Sequence, residues 1–256
     1  MVHFVSQTVS DVWRAICSAA KPVFLTLILF LGLQMPSFAA PFAASISKDW
    51  LGGIPEEGKL AYAISRKGKR LGFQTIDFET LDNGDLQVDV HIEIDFALII
   101  PLFTYTHQNR EVWRDGQLLS LNARTDNNGD DERVSLKLDG DKFIGEGTKF
   151  VDDLEAGLMS TSYFNPNFIR QEAVISSQDG RRLKIGVEEI GRETLTLQTG
   201  RVEATRFRLT GKLRIDIWYT DDGQWVKTTF TRGGNTLVIE QVNPVSVPPR
   251  SKWRNP

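Results

Sequence analysis

The sequence predicts an all-β protein: one large antiparallel meander curled into a half-barrel or distorted barrel, with a short helix or loop crossing near residues 151–178. Two observations carry this prediction. Apolar and polar residues alternate along many short segments, most regularly from Leu86 to Phe96, and this period of two is typical of strands with one buried face. Glycine-containing turn signals separate the segments by roughly 8 to 12 residues, as in a sandwich or barrel.

The N-terminal segment has the features of a secretory signal peptide. Lys21 precedes an uncharged apolar run over residues 22–33, and the small-residue sequence Ser37-Phe38-Ala39 follows. A basic region, an apolar region and an S-x-A site in this order predict a signal peptide over residues 1–39, and hence a periplasmic or secreted protein. An uncleaved membrane anchor is the alternative, although the run reaches about 20 residues only by including polar residues and prolines.

Cleavage would remove the only cysteine, Cys17, so the mature chain could form no internal disulfide. About 217 residues would remain, which is enough for one β domain with its own core. We predict an N-terminal lead-in over residues 40–59, a single β domain over residues 60–242 and an extended C-terminal tail over residues 243–256. The mature net charge of about −4 makes nucleic acid a poor partner.

Strand candidates lie between the turn signals. Pairs such as Asp115-Gly116 and Asn128-Gly129 suit the positive φ values of type I′ hairpin turns, so consecutive strands are expected to be antiparallel neighbours. A sheet of that many strands accumulates twist and curls. The candidate strands cover residues 60–66, 71–79, 86–97, 102–113, 117–125, 133–138, 141–146, 182–190, 194–198, 201–210, 212–220, 224–232 and 236–242.

One segment, between Val151 and Gln178, interrupts the rhythm of hairpins. Asn165 followed by Pro166 is typical of an N-cap with proline at the first helical position, and predicts a short helix or ordered loop that crosses the sheet. After the last strand, the prolines of the C-terminal segment predict an extended tail in which Trp253 is the only aromatic anchor among basic residues.

Several short patterns follow one another along the predicted β domain. They are Gly68-Lys69-Arg70-Leu71-Gly72-Phe73, Tyr105 with His107 leading into residues 111–118, residues 125–129, residues 160–166, and Trp218-Tyr219 with Asp222-Gly223. Taken in order, they resemble a family of uncharacterised secreted bacterial β-sheet proteins known as a domain of unknown function. The resemblance spans about residues 60–240 and departs at Tyr163 and Phe164, where the family has a tryptophan. It implies a secreted, mostly β protein without an established activity, and it supplies no catalytic residues.

The residues that could perform chemistry form no recognisable constellation. His91 shares a polar strand face with Asp89 and Glu93, which a solvated polar row explains better than a cation site does. The acidic loop of residues 126–132 lacks the glycine and glutamate positions of an EF-hand. No G-x-S-x-G elbow or phosphate-binding loop occurs. We therefore predict no catalytic residues, no metal site and no cofactor, and the sequence favours a protein that is not an enzyme without excluding one.

An apolar stretch from Phe96 to Phe103 connects two strands without a polar turn, which is unusual for a surface hairpin. Two interpretations stay open. The stretch is either a buried strand end, or one wall of a groove for an apolar ligand, a membrane surface or a partner. Glu111 and Trp113 share one face of the following strand and can line the same groove. The candidate ligand-binding residues are Phe103, Tyr105, Glu111, Trp113, Tyr163, Phe164 and Asn165.

Three functional hypotheses follow. The first is a secreted, non-enzymatic module whose concave face binds a lipid or another apolar or amphipathic small molecule, by fold-level analogy to lipoprotein carriers. The second is a structural or interaction component of the cell envelope that binds another protein through a sheet edge or through the tail with Arg250, Lys252, Trp253 and Arg254. The third is a glycoside or ester hydrolase that uses Glu111, because aromatic surroundings can raise a carboxyl pKa.

Overall fold

A computed structural model describes residues 47–97, 102–232 and 235–248, which form one curled sheet of 14 strands. The predicted signal peptide, the tip of the apolar connection at residues 98–101 and the basic end of the tail lie outside these residues, and so does the side chain of Phe103. The strands are β1 Lys59–Arg66, β2 Lys69–Thr80, β3 Leu86–Ala97, β4 Leu102–Arg114, β5 Gln117–Asn127, β6 Asp130–Asp139, β7 Lys142–Gly147, β8 Met159–Ser160, β9 Ala173–Ile175, β10 Arg182–Leu197, β11 Gly200–Gly211, β12 Ile215–Tyr219, β13 Trp225–Arg232 and β14 Asn235–Gln241.

The sheet is an antiparallel meander, as predicted, and it is not closed. Its order is β7-β6-β5-β4-β3-β2-β1-β14-β13-β12-β11-β10-β9-β8, and only β8 and β9 pair in parallel. The first and last strands therefore meet in the middle of the sheet, where Tyr62 lies opposite Gln241. From this central pair the sheet extends in both directions and curls towards itself, which gives the expected half-barrel.

Two predicted strands, residues 182–190 and 194–198, are one long strand in the structure. The register of β10 against β11 shifts between Glu189 and Gly191, and Gly191 has a φ of +136°. Such a bulge bends a strand without ending it, and glycine adopts this φ without steric cost. The short strands β8 and β9 had no signal in the sequence, since two or three residues are too few to show an alternation.

The predicted crossing is present and contains a 3-10 helix, Pro166–Arg170. The side chain of Asn165 caps this helix by accepting a hydrogen bond from the backbone N–H of Asn167 at 3.0 Å. A second 3-10 helix, Pro244–Ser246, follows the last strand. Among the described residues, no helix is both long and apolar enough to span a bilayer.

Residues 148–181, here called the crossing segment, fill much of the concave face. Phe164 packs edge to face against Trp113, with ring centroids 5.2 Å apart, and against Phe78, at 5.4 Å. The same segment covers the open edge at β7, because the N–H of Phe143 donates to the carbonyl of Leu154 at 2.8 Å. The core is therefore formed by the inner face of the sheet together with the crossing segment.

The half-barrel has two ends that differ in their turns. The tip end is where β1, β3, β5, β11 and β13 finish, and the base end is where β2, β4, β6, β10 and β12 finish, as the antiparallel pairing requires. The N-terminal residues reach the base end, where the N–H of Ser47 donates to the carbonyl of Asp221 at 3.0 Å.

Candidate functional site

Strand β4 turns a row of mostly polar side chains towards the concave face, where apolar side chains are the usual occupants. The row follows the strand period of two, so its members lie on one side of the sheet beneath the crossing segment. All five members are buried: Tyr105, His107, Asn109, Glu111 and Trp113. Buried polar groups need hydrogen-bond partners, and the crossing segment provides several of them.

Glu111 lies at the centre of this contact and is completely buried. Its Oε1 accepts hydrogen bonds from Asn109 Nδ2 at 2.7 Å and Ser160 Oγ at 2.5 Å. Its Oε2 accepts from Trp113 Nε1 at 2.8 Å and Ser162 Oγ at 3.1 Å. The carboxylate therefore joins β4 to β8 and the start of the loop that follows β8.

Burial raises the pKa of the Glu111 carboxyl, and the four hydrogen bonds act in the opposite direction. A raised pKa is what the hydrolase hypothesis requires of a general acid. A general acid must also reach its substrate, however, and both oxygens of Glu111 are bonded inside the protein. The geometry favours a carboxylate that holds the crossing segment in place.

His107 forms a second contact with the crossing segment. Its Nδ1 lies 2.8 Å from Thr125 Oγ1 on the neighbouring strand, and its Nε2 lies 3.3 Å from Ser177 Oγ. Burial lowers the pKa of His107 to about 4, with a smaller contribution from the charge of His91. The imidazole is therefore neutral near pH 7. A hydroxyl rather than a carboxylate faces the second ring nitrogen, so the arrangement lacks the orienting acid of a Ser-His-Asp triad.

A third contact lies closer to the tip end and carries charge. Gln178 Nε2 donates a short hydrogen bond to Glu132 on β6. Lys149 Nζ lies between Glu132 Oε1, at 3.5 Å, and Asp179 Oδ2, at 3.3 Å. Burial raises the pKa of Glu132, and the charge of Asp179 raises it further, whereas the hydrogen bond from Gln178 and the charge of Lys149 lower it. Both ends of the crossing segment thus meet at the inner face of β6.

Most of the residues predicted to bind a ligand are buried under the crossing segment or within it. Trp113 is 1 % exposed and Phe164 is 1 % exposed, and the two rings are in contact. Tyr163 is turned towards Trp225 on β13, with ring centroids 5.4 Å apart. Asn165 is the helix cap described above. Tyr105 lies nearest the tip end of the β4 row, and its hydroxyl is 3.5 Å from Gln178 Oε1.

Sequence reasoning did not predict the partners of these residues. Ser160 and Ser162 both bind Glu111 in the structure, a pairing that was not predicted from the sequence. The serine that meets His107 is Ser177. Two signals were available in the sequence: a serine pair two residues apart in the crossing, and the uninterrupted polar row on β4.

Part of the inner face stays exposed towards the tip end. Four apolar side chains there are only half-buried while packing against the core: Ile92, Ile94, Val187 and Phe230. Their strand neighbours show that they face inwards. Ile94 lies opposite the buried Tyr105, Val187 opposite Leu209, and Phe230 opposite Leu237. We call these four side chains the mouth.

Among the described residues, grooves on the outer face of the sheet are lined mainly by polar and charged residues. The first encloses about 730 Å³ and is lined by Asp89, His91, Arg110, Arg124 and Arg133 among others. Asp89 accepts from Arg110 at 2.8 and 3.1 Å, so this carboxylate is paired with a guanidinium. Within the described residues, no group of three or more His, Cys, Asp or Glu side chains is arranged to hold a metal ion.

A protein-family model described as a domain of unknown function (DUF6134) matches residues 62–242. The chain belongs to this family. The match to the DUF6134 model confirms the resemblance to an uncharacterised family and covers every strand except the first three residues of β1. No match was found among curated proteins.

Among solved structures, the DUF6134 chain is similar to a β-barrel-like protein from Brucella abortus, itself a domain of unknown function (DUF1849). The sequence identity is 11 % and the TM-score is 0.52, over 72 % of this chain and 95 % of the other. At this identity the similarity supports the fold alone. It agrees with the predicted half-barrel.

Proposed function

We propose that the protein is a non-enzymatic binding module of the cell envelope that holds an apolar or amphipathic small molecule, such as a lipid, at the tip end of the half-barrel. One observation carries the proposal: the mouth, Ile92, Ile94, Val187 and Phe230, leaves apolar inner-face surface partly open to solvent. Sites for apolar ligands combine such surface with a few polar groups that fix orientation. The charged contact of Glu132, Lys149 and Asp179 lies towards the same end.

The proposal places the ligand away from Trp113 and Phe164. Those side chains are enclosed by the crossing segment, so a ligand would have to displace a packed part of the core to reach them. Of the residues predicted from sequence, Tyr105 and Phe103 remain at the tip end. Tyr105 lies opposite Ile94, and the backbone of Phe103 lies two residues before it in the same strand, nearer the tip end.

Binding of cis-parinaric acid, with palmitate as competitor, tests the proposal. We expect the fluorescent fatty acid to bind and to be displaced by palmitate. The double variant Ile94→Ser/Phe230→Ser should weaken binding at least tenfold, because it removes apolar contact area from the mouth. Ile144→Ser is the matched control, since Ile144 is 40 % exposed on β7 and lies outside the mouth. A wild-type protein that binds no fatty acid, or a double variant that binds as well as the control, would overturn the proposal.

The two other hypotheses receive less support from the geometry. The hydrolase hypothesis depends on Glu111, whose oxygens are enclosed. The interaction hypothesis depends on a free sheet edge or on the tail. The β7 edge is joined to the crossing segment by two backbone hydrogen bonds. The N–H of Phe143 donates to the carbonyl of Leu154, and the N–H of Ala156 donates to the carbonyl of Asp141. Residues 249–256 of the tail lie beyond the part of the chain that the structure describes.

A further inference from the structure

Charged side chains are distributed unequally between the two ends of the half-barrel. Five exposed basic side chains lie in or directly after the tip-end turns between β1 and β2 and between β11 and β12: Lys67, Lys69, Arg70, Lys212 and Arg214. At the base end, four turns carry exposed aspartates, which outnumber the exposed Arg114, Lys142 and Arg201 beside the turns of that end: Asp82, Asp115, Asp139 with Asp141, and Asp221 with Asp222. The protein as a whole has a net charge of −3, so the basic tip end is a local feature.

The basic turns are neighbours in the sheet. The order β2-β1-β14-β13-β12-β11 places the β1–β2 and β11–β12 turns on either side of one further hairpin. With strands about 4.8 Å apart, the basic residues spread over about 24 Å of the tip end. The β5–β6 turn at the same end is acidic through Asp126 and Asp130, but β5 lies three strands away from β2. We call the two basic turns together the basic rim.

The second outer groove continues the basic rim. It encloses about 580 Å³ and is lined by Arg206, Arg208, Arg214 and Asp216 among others. Asp216 accepts hydrogen bonds from both Arg206 and Arg208, which fixes the two guanidinium groups side by side. Arg206 also pairs with Glu193 at 3.3 Å, so two carboxylates face the three guanidinium groups and the groove retains one net positive charge, which suits a phosphate group.

The basic rim and the mouth lie at one end of the molecule. Phe230 is two residues from the end of β13, next to β12, which follows the turn with Lys212 and Arg214. Apolar surface beside clustered Lys and Arg is the combination that binds an anionic bilayer, whose phosphate groups attract the cations while acyl chains contact the apolar side chains. An acidic protein surface would satisfy the charge of the rim and leave the apolar mouth without a partner.

We infer that the tip end docks on a bilayer containing anionic phospholipid, with the basic rim on the headgroups and the mouth facing the acyl chains. The inference rests on the proposed function for the role of the mouth, and it names the surface from which the ligand is taken. Docking through the rim should depend on anionic lipid and weaken as salt is added, because salt screens exposed charges.

Flotation with lipid vesicles tests the inference, and it uses the full protein purified from cells that express it. Vesicles of equal parts phosphatidylglycerol and phosphatidylcholine are compared with vesicles of phosphatidylcholine alone. The variant Lys69→Glu/Lys212→Glu/Arg214→Glu reverses three exposed charges of the rim. The control Lys48→Glu/Lys137→Glu/Arg201→Glu makes the same change in net charge at exposed positions outside the rim. Circular dichroism melts establish that each variant is folded.

We expect wild type and control to bind the anionic vesicles and the rim variant to bind at least tenfold more weakly, with little binding of any form to phosphatidylcholine. Equal binding by rim variant and control, or equal binding to both vesicle types, would overturn the inference. The cis-parinaric acid titration without vesicles is run in parallel. If the protein binds the fatty acid but not the vesicles, the docking inference is overturned and the proposed function stands. If it binds the vesicles but not the fatty acid, the proposed function is overturned and the docking on the bilayer stands.

Discussion

The indole N–H of Trp113 donates a hydrogen bond to Glu111 Oε2 at 2.8 Å, and both side chains are buried. Trp113 thus packs against Phe164 and also satisfies a buried carboxylate. Trp113→Ala should cost about 3 to 5 kcal/mol of unfolding free energy, because it opens a cavity and removes this donor. Urea denaturation measures the loss.

The variant Trp113→Phe separates packing from hydrogen bonding, since it keeps an aromatic ring and removes the N–H. We expect a smaller cost of about 1 to 3 kcal/mol. A Trp113→Ala protein that melts within a few degrees of wild type would show that this side chain is not core, and would return it to the set of ligand-facing residues.

Glu111 can be tested by comparing two replacements of similar size. Glu111→Leu leaves the donors of Asn109, Trp113, Ser160 and Ser162 without an acceptor, so it should cost about 3 to 5 kcal/mol. Glu111→Gln keeps one acceptor oxygen, and the buried Oδ1 of Asn109, which has no partner among the described residues, can accept from the new amide. We expect a cost of about 1 kcal/mol for Gln. Equal melting temperatures for the two variants would contradict the role assigned to the carboxylate.

The fold was largely predictable because its signals are local. The turns Asp115-Gly116 and Asn128-Gly129 have positive φ at both residues, as the sequence indicated, and each joins two adjacent antiparallel strands. The pairing of β1 with β14 was not predictable, since a contact between residues as distant as Tyr62 and Gln241 leaves no local pattern.

The candidate site was less predictable because both faces of β4 are polar. Thr104, Thr106 and Gln108 alternate with Tyr105, His107 and Asn109, so polarity alone does not show which set faces inwards. The inner set is buried only because the crossing segment supplies serine hydroxyls and Gln178 to it. That relationship joins positions about 50 to 70 residues apart and appears only in three dimensions.

Tyr163 provides a test of how the crossing segment is held against β12. Its φ is +64°, an uncommon value for a tyrosine, and its carbonyl accepts a hydrogen bond from the buried hydroxyl of Tyr219 at 2.6 Å. Tyr219→Phe should cost about 1 to 3 kcal/mol, because a buried carbonyl loses its donor while the packing is kept. Tyr105→Phe is a useful comparison, since its hydroxyl makes only a 3.5 Å contact and its loss should cost less.

The N-cap of the 3-10 helix gives a further prediction. Asn165→Ala removes the acceptor for the N–H of Asn167 and should cost about 1 kcal/mol. Asn165→Asp keeps the acceptor and should recover most of the loss. Thermal melts of the two variants decide the matter. A loss that Asp does not recover would show that the amide group of Asn165, rather than the cap, is what stabilises the crossing segment.

The buried imidazole of His107 predicts a pH dependence of stability. Burial holds its pKa near 4 in the folded protein, whereas an unfolded histidine titrates near 6.5. Between these values the unfolded chain binds more protons, so stability falls as pH drops from about 6.5 to 4, by about 3 kcal/mol in total. Glu111 and Glu132 contribute with the opposite sign. Their pKa values are raised in the folded protein, so above the usual carboxyl range the folded protein binds more protons than the unfolded chain, and their contribution lowers stability as pH rises. Wild-type pH dependence is therefore a sum of opposing contributions.

Variants isolate the contribution of His107. His107→Gln removes the titrating group, so the difference in unfolding free energy between wild type and variant should grow as pH rises from 4 to 6.5 and stay constant above that. Thr125→Val is the matched control. It removes the hydroxyl that faces His107 Nδ1 but leaves the imidazole buried, so its cost of about 1 kcal/mol should be nearly the same at every pH. Urea denaturation at several pH values measures both differences. If the difference for His107→Gln does not change with pH, the imidazole titrates alike in the folded and unfolded chain, and its contact with Ser177 is open to water.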